Sequence, residues 1–311
     1  MTPGTPHDSR RASASAALLV VVIALTMQTG SALAARLIES VGVVGALWLR
    51  TALAAVLLGA IRPRSVRLPP VGDRLPVAAL TVTLLVMNLS FYAAISRAPL
   101  GVVVAVEFLG PLAVAVLGSR RPVDFVWVGL AGVGVVLLAG PTSDVSTTGL
   151  LFALCAACAW AAFLLLAKRA VTTMAPLSVV TLMLIGSAVL LTPLLAVSGA
   201  GFFAAPEALG LGLAVALLSS ALPYFLELFA LSRVRAATYG VLLSIEPAVA
   251  ALTGFVILGQ RLSLVEVAAI AAVVIAAAGA SWASGVGGTP PADVPVSAAE
   301  EPPLGGSAGG P

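Results

Sequence analysis

The chain has 311 residues, of which 60% are hydrophobic and only 9% are charged, and its formal net charge is +3. This composition, with a mean hydropathy of +1.13, excludes a soluble globular domain. We therefore expect an integral membrane protein, in which the positions of the few charges matter more than their sum.

Ten apolar stretches are long enough to cross a bilayer, which takes about twenty residues as a helix. They are predicted at 16–34, 43–61, 76–95, 100–118, 124–140, 148–167, 176–196, 208–230, 237–258 and 262–283. The breaks between them carry turn residues or charges, such as Arg121-Pro122 and Gly140-Pro141. The predicted fold class is an all-α membrane protein with ten transmembrane helices.

The first apolar stretch follows two arginines and ends in Ala-Leu-Ala, a combination that also suits a cleaved signal peptide. We expect it to be retained as a span. The sequence LAAR at 33–36 resembles LAKR at 166–169, so its removal would leave one half of the chain a helix short. Residues 1–13 are then predicted to be a cytoplasmic N-terminal tail.

The Lys and Arg residues fall mostly on one side of the predicted spans. Twelve of the sixteen lie in the loops that share a side with the two termini, and three lie in the opposite loops. Because cytoplasmic loops carry the excess of positive charge, both termini are expected in the cytoplasm. The remaining residue, Arg50, lies within the second span.

Two stretches of the chain repeat one design. RAPLGVVVAVEFLGP at 97–111 and RVRAATYGVLLSIEP at 233–247 each follow a serine, contain a glutamate and end in proline. Five spans per half is an odd number, so the second half would enter the membrane with the opposite orientation, as in many secondary transporters. The predicted domains are a first five-helix repeat at 14–141, a second at 148–283, and a disordered cytoplasmic tail at 284–311.

Glu107 and Glu246 are the strongest site candidates, because a carboxylate at membrane depth is costly and rarely incidental. At 1.5 Å per residue, Glu107 and Arg50 both lie roughly 10 Å from the outer face, where they could pair, and Glu246 lies near the midplane. In the repeat, Glu246 corresponds to Gly110, three positions after Glu107. The two carboxylates are therefore expected on one helical face, directed to the same internal space.

Each glutamate also stands beside a predicted helix break. Pro111 and Pro247 cannot donate to the carbonyls four residues earlier, which frees one backbone acceptor in each helix. Gly110 is one of several glycines that permit close helix approach. For both glutamates, a structural role as buried partners of Arg50 or of backbone donors is the competing interpretation.

Seven more polar residues are candidates for a cavity between the helices. They are Gln28, Asn88, Tyr92, Trp160, Tyr224, Glu227 and Tyr239. For Glu227 the competing interpretation is an interfacial ion pair with Arg233 or Arg235. For each of the others it is a hydrogen bond that holds two helices together. Asp124 and Glu266 lie at helix ends and are most simply caps.

Enzyme chemistry has little support in this sequence. It contains no Ser/His/Asp set, no HExxH and no P-loop sequence. Cys155 and Cys158 form a CxxC pair, but the one histidine, His7, lies in the N-terminal tail, so further soft metal ligands are lacking. We expect no metal and no cofactor. An ion gradient is the expected energy source, with intramembrane carboxylates as proton carriers.

Several motifs together resemble a known family. They are AVEFLGPLAVAVLGSRRPVDFVWV at 105–128, Arg50 in WLRTAL, Asn88 and Tyr92 in MNLSFY, Trp160 in CAW, ALPYFLE at 221–227 and SIEPA at 244–248. Over about residues 14–283 the sequence resembles the EamA-type drug/metabolite transporter superfamily, and within it the bacterial inner-membrane exporters of threonine and homoserine. Many members have a Gly-Glu pair after the ninth span, where this chain has Gly259-Gln260.

The resemblance implies two inverted five-helix halves around a central cavity, in the plasma membrane of a bacterium. It also implies outward passage of small neutral amino acids, coupled to proton entry. The expected partners are an amino acid substrate, protons and the lipid bilayer, with a homodimer as one assembly to test and no nucleic acid.

We therefore expect a proton-linked exporter of threonine, homoserine or a similar amino acid that works by alternating access. Arg50 would hold the carboxylate of the zwitterion, and Glu107 or Glu246 its ammonium group. A side-chain hydroxyl would be bound by Gln28, Asn88 and Tyr92. The alternatives are an exporter of other metabolites or drugs, including nucleosides and aromatic compounds, and, from another class, a membrane enzyme or a lipid-handling protein.

Overall fold

The computed structural model describes residues 6–61, 63, 69–117, 122–140, 145–170, 173–198, 206–223, 226 and 243–287. Its helices are α1 Pro6–Ile61, α2 Arg74–Ile95, α3 Leu100–Glu107, α4 Leu109–Leu117, α5 Pro122–Ala139, α6 Thr147–Ala170, α7 Pro176–Ser198, α8 Pro206–Ala216, α9 Glu246–Leu258 and α10 Leu264–Gly287. A 3-10 turn at Val71–Asp73 precedes α2, and a π-helical turn at Leu217–Ala221 continues α8. The prediction of an all-α fold is confirmed for this part of the chain.

Four apolar segments are long enough to cross a membrane by length and composition. They are Val21–Ile61, Val71–Ile95, Thr147–Ala167 and Leu177–Ser198. Shorter apolar helices lie at Leu100–Val114, Phe125–Leu138, Glu207–Ala221, Glu246–Leu258 and Leu264–Ala280. The chain is thus a helical membrane protein, while the count of ten spans and their inverted arrangement stay predictions.

Helix α1 contains the first two predicted spans and is broken at Gly42. This residue has φ 71° and ψ 171°, a conformation outside the helical region that glycine adopts readily. Before the break, Gly30 packs directly on Ser219, and after it Arg50 donates a hydrogen bond to the carbonyl of Ser219. An unbroken helix would separate Gly30 and Arg50 by about 30 Å. The chain therefore folds back at Gly42 into a helical hairpin.

One end of the bundle, called here the hairpin end, is formed by the Gly42 bend, the turn at 96–99, the start of α6 and the turn at 259–263. A cavity of about 700 Å³ opens there, lined by Ala35, Arg36, Ile38, Glu39, Ile95, Ser96, Leu258 and Gln260. Behind it, Leu37, Ile95 and Leu100 belong to the largest buried cluster of the fold. Buried apolar side chains thus lie beneath this opening.

Local sequence signals fix the turn between α9 and α10. Gly259 ends α9 in the left-handed conformation, with φ 67°. Ser263 and Glu266 then form a reciprocal capping box, in which the Ser263 amide donates to Glu266 Oε2 at 2.7 Å and the Glu266 amide donates to Ser263 Oγ at 3.3 Å. Glu266 is therefore a helix cap, as its position in the sequence predicts.

Helix packing relies on close approach at small residues. A methyl group on Gly101 would lie 2.7 Å from the Ala251 Cα, so α3 and α9 meet backbone to backbone. Helix α2 packs along α6, α5 packs along α10, and α1 packs against α7 and α8. Helices α3 and α9, which carry Glu107 and Glu246, also pack against α6 and α1, respectively.

The ends of the described helices differ slightly from the predicted ones. Helix α1 begins at Pro6, within the stretch 1–13 that is predicted as a tail, and α10 extends to Gly287. The remainder of the predicted C-terminal tail lies outside the described residues. So do three candidate site residues, namely Tyr224, Glu227 and Tyr239.

Candidate functional site: a central cavity with charged groups

A cavity of about 460 Å³ lies in the middle of the bundle. Its walls come from α1, α2, α3, α4, α6, α9 and α10 and from the π-helical turn. The polar and charged lining residues are Gln28, Ser31, Arg50, Asn88, Glu107, Trp160, Ser219 and Glu246. A mostly apolar cavity of this size with a few converging polar groups is typical of a small-molecule site.

The structure brings most of the predicted site residues together. Those that line the cavity are Gln28, Arg50, Asn88, Glu107, Pro111, Trp160 and Glu246. Tyr92 is 1% exposed and lies behind the lining, with its ring centroid 5.7 Å from the Arg50 Cζ. Pro247 is buried in α9, and Gly110 packs so closely on the Ala157 carbonyl of α6 that a side chain would overlap it.

Arg50 is held by three hydrogen bonds. Its Nε donates to Ser220 Oγ at 2.9 Å, Nη1 donates to Asn88 Oδ1 at 2.7 Å, and Nη2 donates to the Ser219 carbonyl at 3.0 Å. The Tyr92 ring adds a cation–π contact. A guanidinium has five N–H donors, so two remain for a bound group. No ion pair joins Arg50 directly to Glu107, although both residues are described and line the same cavity.

The Ser219 carbonyl is available because of a proline. In a regular helix this carbonyl would accept from the amide four residues later, but that residue is Pro223, which has no N–H. The local helix is π-helical, and Ser219 and Ser220 are both buried. This is the same effect that the sequence predicts at Pro111 and Pro247, here used to hold a buried cation.

Ser31, Ser219 and Ser220 are site residues that the sequence patterns above do not single out. A usable signal is present for the last two, since two consecutive serines in an apolar span are followed by Pro223. No comparable signal marks Ser31, because a single serine is common in transmembrane helices. Its position three residues after Gln28 places both on one face of α1.

Glu107 lies where the fourth predicted span is interrupted. It is the last residue of α3, and α4 begins at Leu109. Phe108 keeps a helical conformation, and its amide donates to the Val104 carbonyl at 3.0 Å, so the two helices are almost continuous. The missing N–H of Pro111 accounts for the interruption. The Glu107 side chain and Pro111 thus lie at one wall of the cavity.

Glu246 begins α9 and is 4% exposed. It lies in the first helical turn, where backbone N–H groups lack partners within the helix and the helix dipole favours a negative charge. Pro247 follows it at a position where a missing N–H costs little. Helix α9 also packs against α3. The two glutamates therefore stand at the ends of two contacting helices and line the same cavity.

Aromatic and apolar side chains complete the cavity. The rings of Phe108 and Trp160 meet edge to face, with centroids 5.3 Å apart and an interplanar angle of 89°. Met27 and Met87 line the walls on α1 and α2. A cation and two carboxylates inside a largely apolar enclosure can hold a small molecule that carries both signs of charge.

A helical membrane bundle around such a cavity is typical of membrane proteins that bind a small molecule. Sequence comparison identifies the family. The EamA-like transporter family model matches residues 147–282. Over 281 residues the chain is 40% identical to the threonine/homoserine exporter RhtA of Salmonella typhimurium and 39% identical to that of Escherichia coli, with 89% of this chain and 95% of each relative covered. This chain belongs to the EamA-like transporter family, which is a family of transporters and not of enzymes.

Two further likenesses are weaker. The uncharacterized transporter YwfM of Bacillus subtilis is 34% identical over 158 residues, which cover 50% of this chain and 53% of that protein. One solved crystal structure aligns with a TM-score of 0.60 at 18% identity, covering 88% of this chain and 98% of the other. The structural likeness concerns the fold alone.

Proposed function

We propose that this protein exports threonine, homoserine or a similar small neutral amino acid across the plasma membrane of a bacterium. The observation that carries the proposal is the cavity of about 460 Å³ that Arg50 lines together with Glu107 and Glu246. A free amino acid needs a cation beside its carboxylate and an anion beside its ammonium group. The relatives that are 39% and 40% identical are named threonine/homoserine exporters, which supports the same cargo.

Arg50 is the proposed anchor for the carboxylate of the cargo. Its three hydrogen bonds to Ser220, Asn88 and Ser219 fix the guanidinium before cargo arrives, and two N–H donors remain. A donor that is already fixed loses little conformational entropy when cargo binds, so the entropic penalty of binding is small. Charge-assisted bonds of this kind are also stronger than neutral ones.

Glu107 and Glu246 are the proposed groups for the ammonium and for proton coupling. A carboxylate in an apolar enclosure is stable when it is neutral or when a cation is paired with it, and costly when it is charged and unpaired. A proton and the ammonium group of the cargo therefore compete for the same carboxylate. Cargo leaves to the outside as a proton binds, and the protonated carrier returns, so that export is linked to proton entry.

The proposed architecture is two inverted five-helix repeats with both termini in the cytoplasm. The family match at 147–282 nearly coincides with the predicted second repeat at 148–283, which supports the division. In this orientation the hairpin end faces outward, and the packed cluster around Leu37 and Leu100 closes the cavity on that side. Alternating access then requires this cluster to separate while the cytoplasmic side closes.

The proposal is tested in cells that overproduce the full chain. The cells are loaded with a mixture of amino acids, and the external medium is followed over time with and without an uncoupler. Faster release of threonine or homoserine is expected, with loss of that gain when the proton gradient is removed. Cells that produce Arg50→Gln at the same membrane level serve as the matched control. Release no faster than from cells without the protein would overturn the proposed cargo.

A further inference from the structure

We propose that Gln28 is the residue that selects cargo bearing a side-chain hydroxyl. This inference rests on the proposed function and assigns a specificity determinant within the same cavity. Gln28 lines the cavity, is 4% exposed, and its Oε1 has no hydrogen-bond partner among the described residues. Unpaired buried acceptors are uncommon in folded proteins. A donor that enters with the cargo would satisfy this one.

Tyr92 also has a hydroxyl without a hydrogen-bond partner among the described residues, but it does not line the cavity. The polar groups of Asn88 and Ser219, which do line it, are already engaged. Asn88 Oδ1 accepts from Arg50 Nη1 at 2.7 Å, while Asn88 Nδ2 donates to the Leu84 carbonyl at 2.9 Å. Ser219 Oγ donates to the Val215 carbonyl at 2.7 Å. Asn88, which the sequence suggests as a hydroxyl ligand, is thus a positioning residue for Arg50. Gln28 retains a free acceptor.

The placement of Gln28 relative to the arginine anchor is fixed by packing. Gly30, two residues later on α1, lies so close to Ser219 that an added methyl group would be 2.7 Å from the Ser219 backbone nitrogen. The carbonyl of the same Ser219 accepts from Arg50. Ser219 therefore contacts both arms of α1, the one before Gly42 that carries Gln28 and the one after it that carries Arg50. Cargo bound through its carboxylate to Arg50 would present its side chain to the arm that carries Gln28.

The chemistry of this contact separates pairs of amino acids of nearly equal shape. Threonine and valine differ by a hydroxyl in place of a methyl group, and homoserine and norvaline differ in the same way. A hydroxyl can donate to Gln28 Oε1, whereas a methyl group leaves that acceptor desolvated and unpaired. Sites built to hydrogen-bond a hydroxyl discriminate strongly against analogues that lack it.

The test uses the purified full chain in proteoliposomes, with initial transport rates of the four amino acids. Wild-type protein is expected to prefer threonine over valine and homoserine over norvaline. Gln28→Met keeps the length of the side chain and removes its carbonyl, so both preferences should fall about 3- to 10-fold, the effect of one hydrogen bond. Leu25→Met, which changes an exposed residue one turn earlier on the same helix and outside the cavity lining, should leave both preferences unchanged.

Three results would overturn or confirm the inference. Equal slowing of threonine and valine transport in Gln28→Met would overturn it. Equal rates within both pairs for the wild-type protein would also overturn it, and this comparison does not depend on a variant that folds. A selective loss of the hydroxylated cargo would confirm it. Failure of the proposed function looks different, because wild-type protein would then transport none of the four.

Discussion

Nη1 of Arg50 lies 2.7 Å from Oδ1 of Asn88, and both side chains are buried. Asn88 is itself fixed, since its Nδ2 donates to the Leu84 carbonyl of its own helix. The asparagine therefore presents a rigid acceptor to the guanidinium. A cation is held at the centre of the membrane protein by neutral groups and keeps its charge available for cargo.

Replacement of Asn88 by leucine should weaken cargo binding while leaving the protein folded. Loss of one charge-assisted hydrogen bond corresponds to about 1.5–3 kcal/mol, so we expect KM for threonine to rise at least about tenfold with a smaller change in maximal rate. Concentration-dependent transport in proteoliposomes measures both. An unchanged KM would show that Asn88 does not position Arg50.

The guanidinium itself should not be replaceable by another cation. In Arg50→Lys a single ammonium group cannot reach Ser220, Asn88 and the Ser219 carbonyl with the geometry of a planar fork. We expect transport to fall at least about tenfold, as for a lost charge-assisted contact, and to be absent in Arg50→Gln. Initial rates at matched protein levels provide the comparison. Normal transport by Arg50→Gln would remove Arg50 from the binding site.

The two glutamates should separate cargo exchange from proton coupling. Glu107→Gln and Glu246→Gln keep the size of the side chain and remove its titration. We expect at least one of them to exchange internal for external threonine while no longer responding to an imposed proton gradient, because a fixed neutral group cannot carry a proton. Exchange and gradient-driven flux are measured on the same vesicles. If both variants export normally, neither carboxylate has the proposed role.

Two hydrogen bonds link neighbouring elements at the hairpin end, and we expect them to keep the proposed outer side closed. Gln260 Oε1 accepts from the Leu100 amide at 2.9 Å, and the Arg36 guanidinium donates to the Ile257 carbonyl. Gln260→Ala removes the first contact, worth about 1 kcal/mol, and should increase outward opening about fivefold. A cysteine at Ala98, with Cys155 and Cys158 replaced by serine, reports opening through its rate of labelling by an impermeant maleimide.

The control for the closing contact is Gln260→Glu, which retains an oxygen acceptor for the same amide. Its labelling rate should stay close to that of the parent protein. Equal labelling of Ala98→Cys in the presence and absence of the Gln260→Ala change would show that this contact does not keep the hairpin end closed.

Close contact of α3 with α9 should make Gly101 intolerant of larger residues. A methyl group added at Gly101 would lie 2.7 Å from a backbone atom of Ala251, which cannot move aside as a flexible side chain can. We expect Gly101→Val to lose about 1–3 kcal/mol of stability through overpacking. Gly129→Ala is the matched control, because nothing lies within 4 Å of its added methyl group. Thermal unfolding in detergent should show a lower midpoint for Gly101→Val alone.

Much of the fold follows from hydropathy and turn residues. The third predicted span, 76–95, agrees closely with α2 at Arg74–Ile95, and the tenth, 262–283, agrees with α10 at Leu264–Gly287. Long apolar runs have one stable backbone solution in lipid, which is why the elements are predictable. Their relative rotation and depth depend on contacts between distant parts of the chain, so they are less predictable.

The site also has a part that the sequence predicts and a part that it does not. Charged and amide residues inside apolar spans identify Arg50, Asn88 and the glutamates. Which of them bond to one another could not be predicted, because Arg50 and Ser220 are 170 positions apart and meet only when α1 packs on the π-helical turn. The role of the Ser219 carbonyl as an acceptor could have been predicted from the sequence. Pro223 has no N–H to donate to the carbonyl four residues earlier, which is the argument already applied to Pro111.

The central claim is that the cavity carries a zwitterionic amino acid outward against an inward flow of protons. Purified full-length protein in vesicles loaded with labelled threonine, to which an inwardly directed proton gradient is applied, tests it directly. We predict that efflux is faster with the gradient than without it, and that vesicles with Arg50→Gln lose threonine no faster than protein-free vesicles. Efflux from wild-type vesicles equal to that from protein-free vesicles, with or without the gradient, would contradict the account.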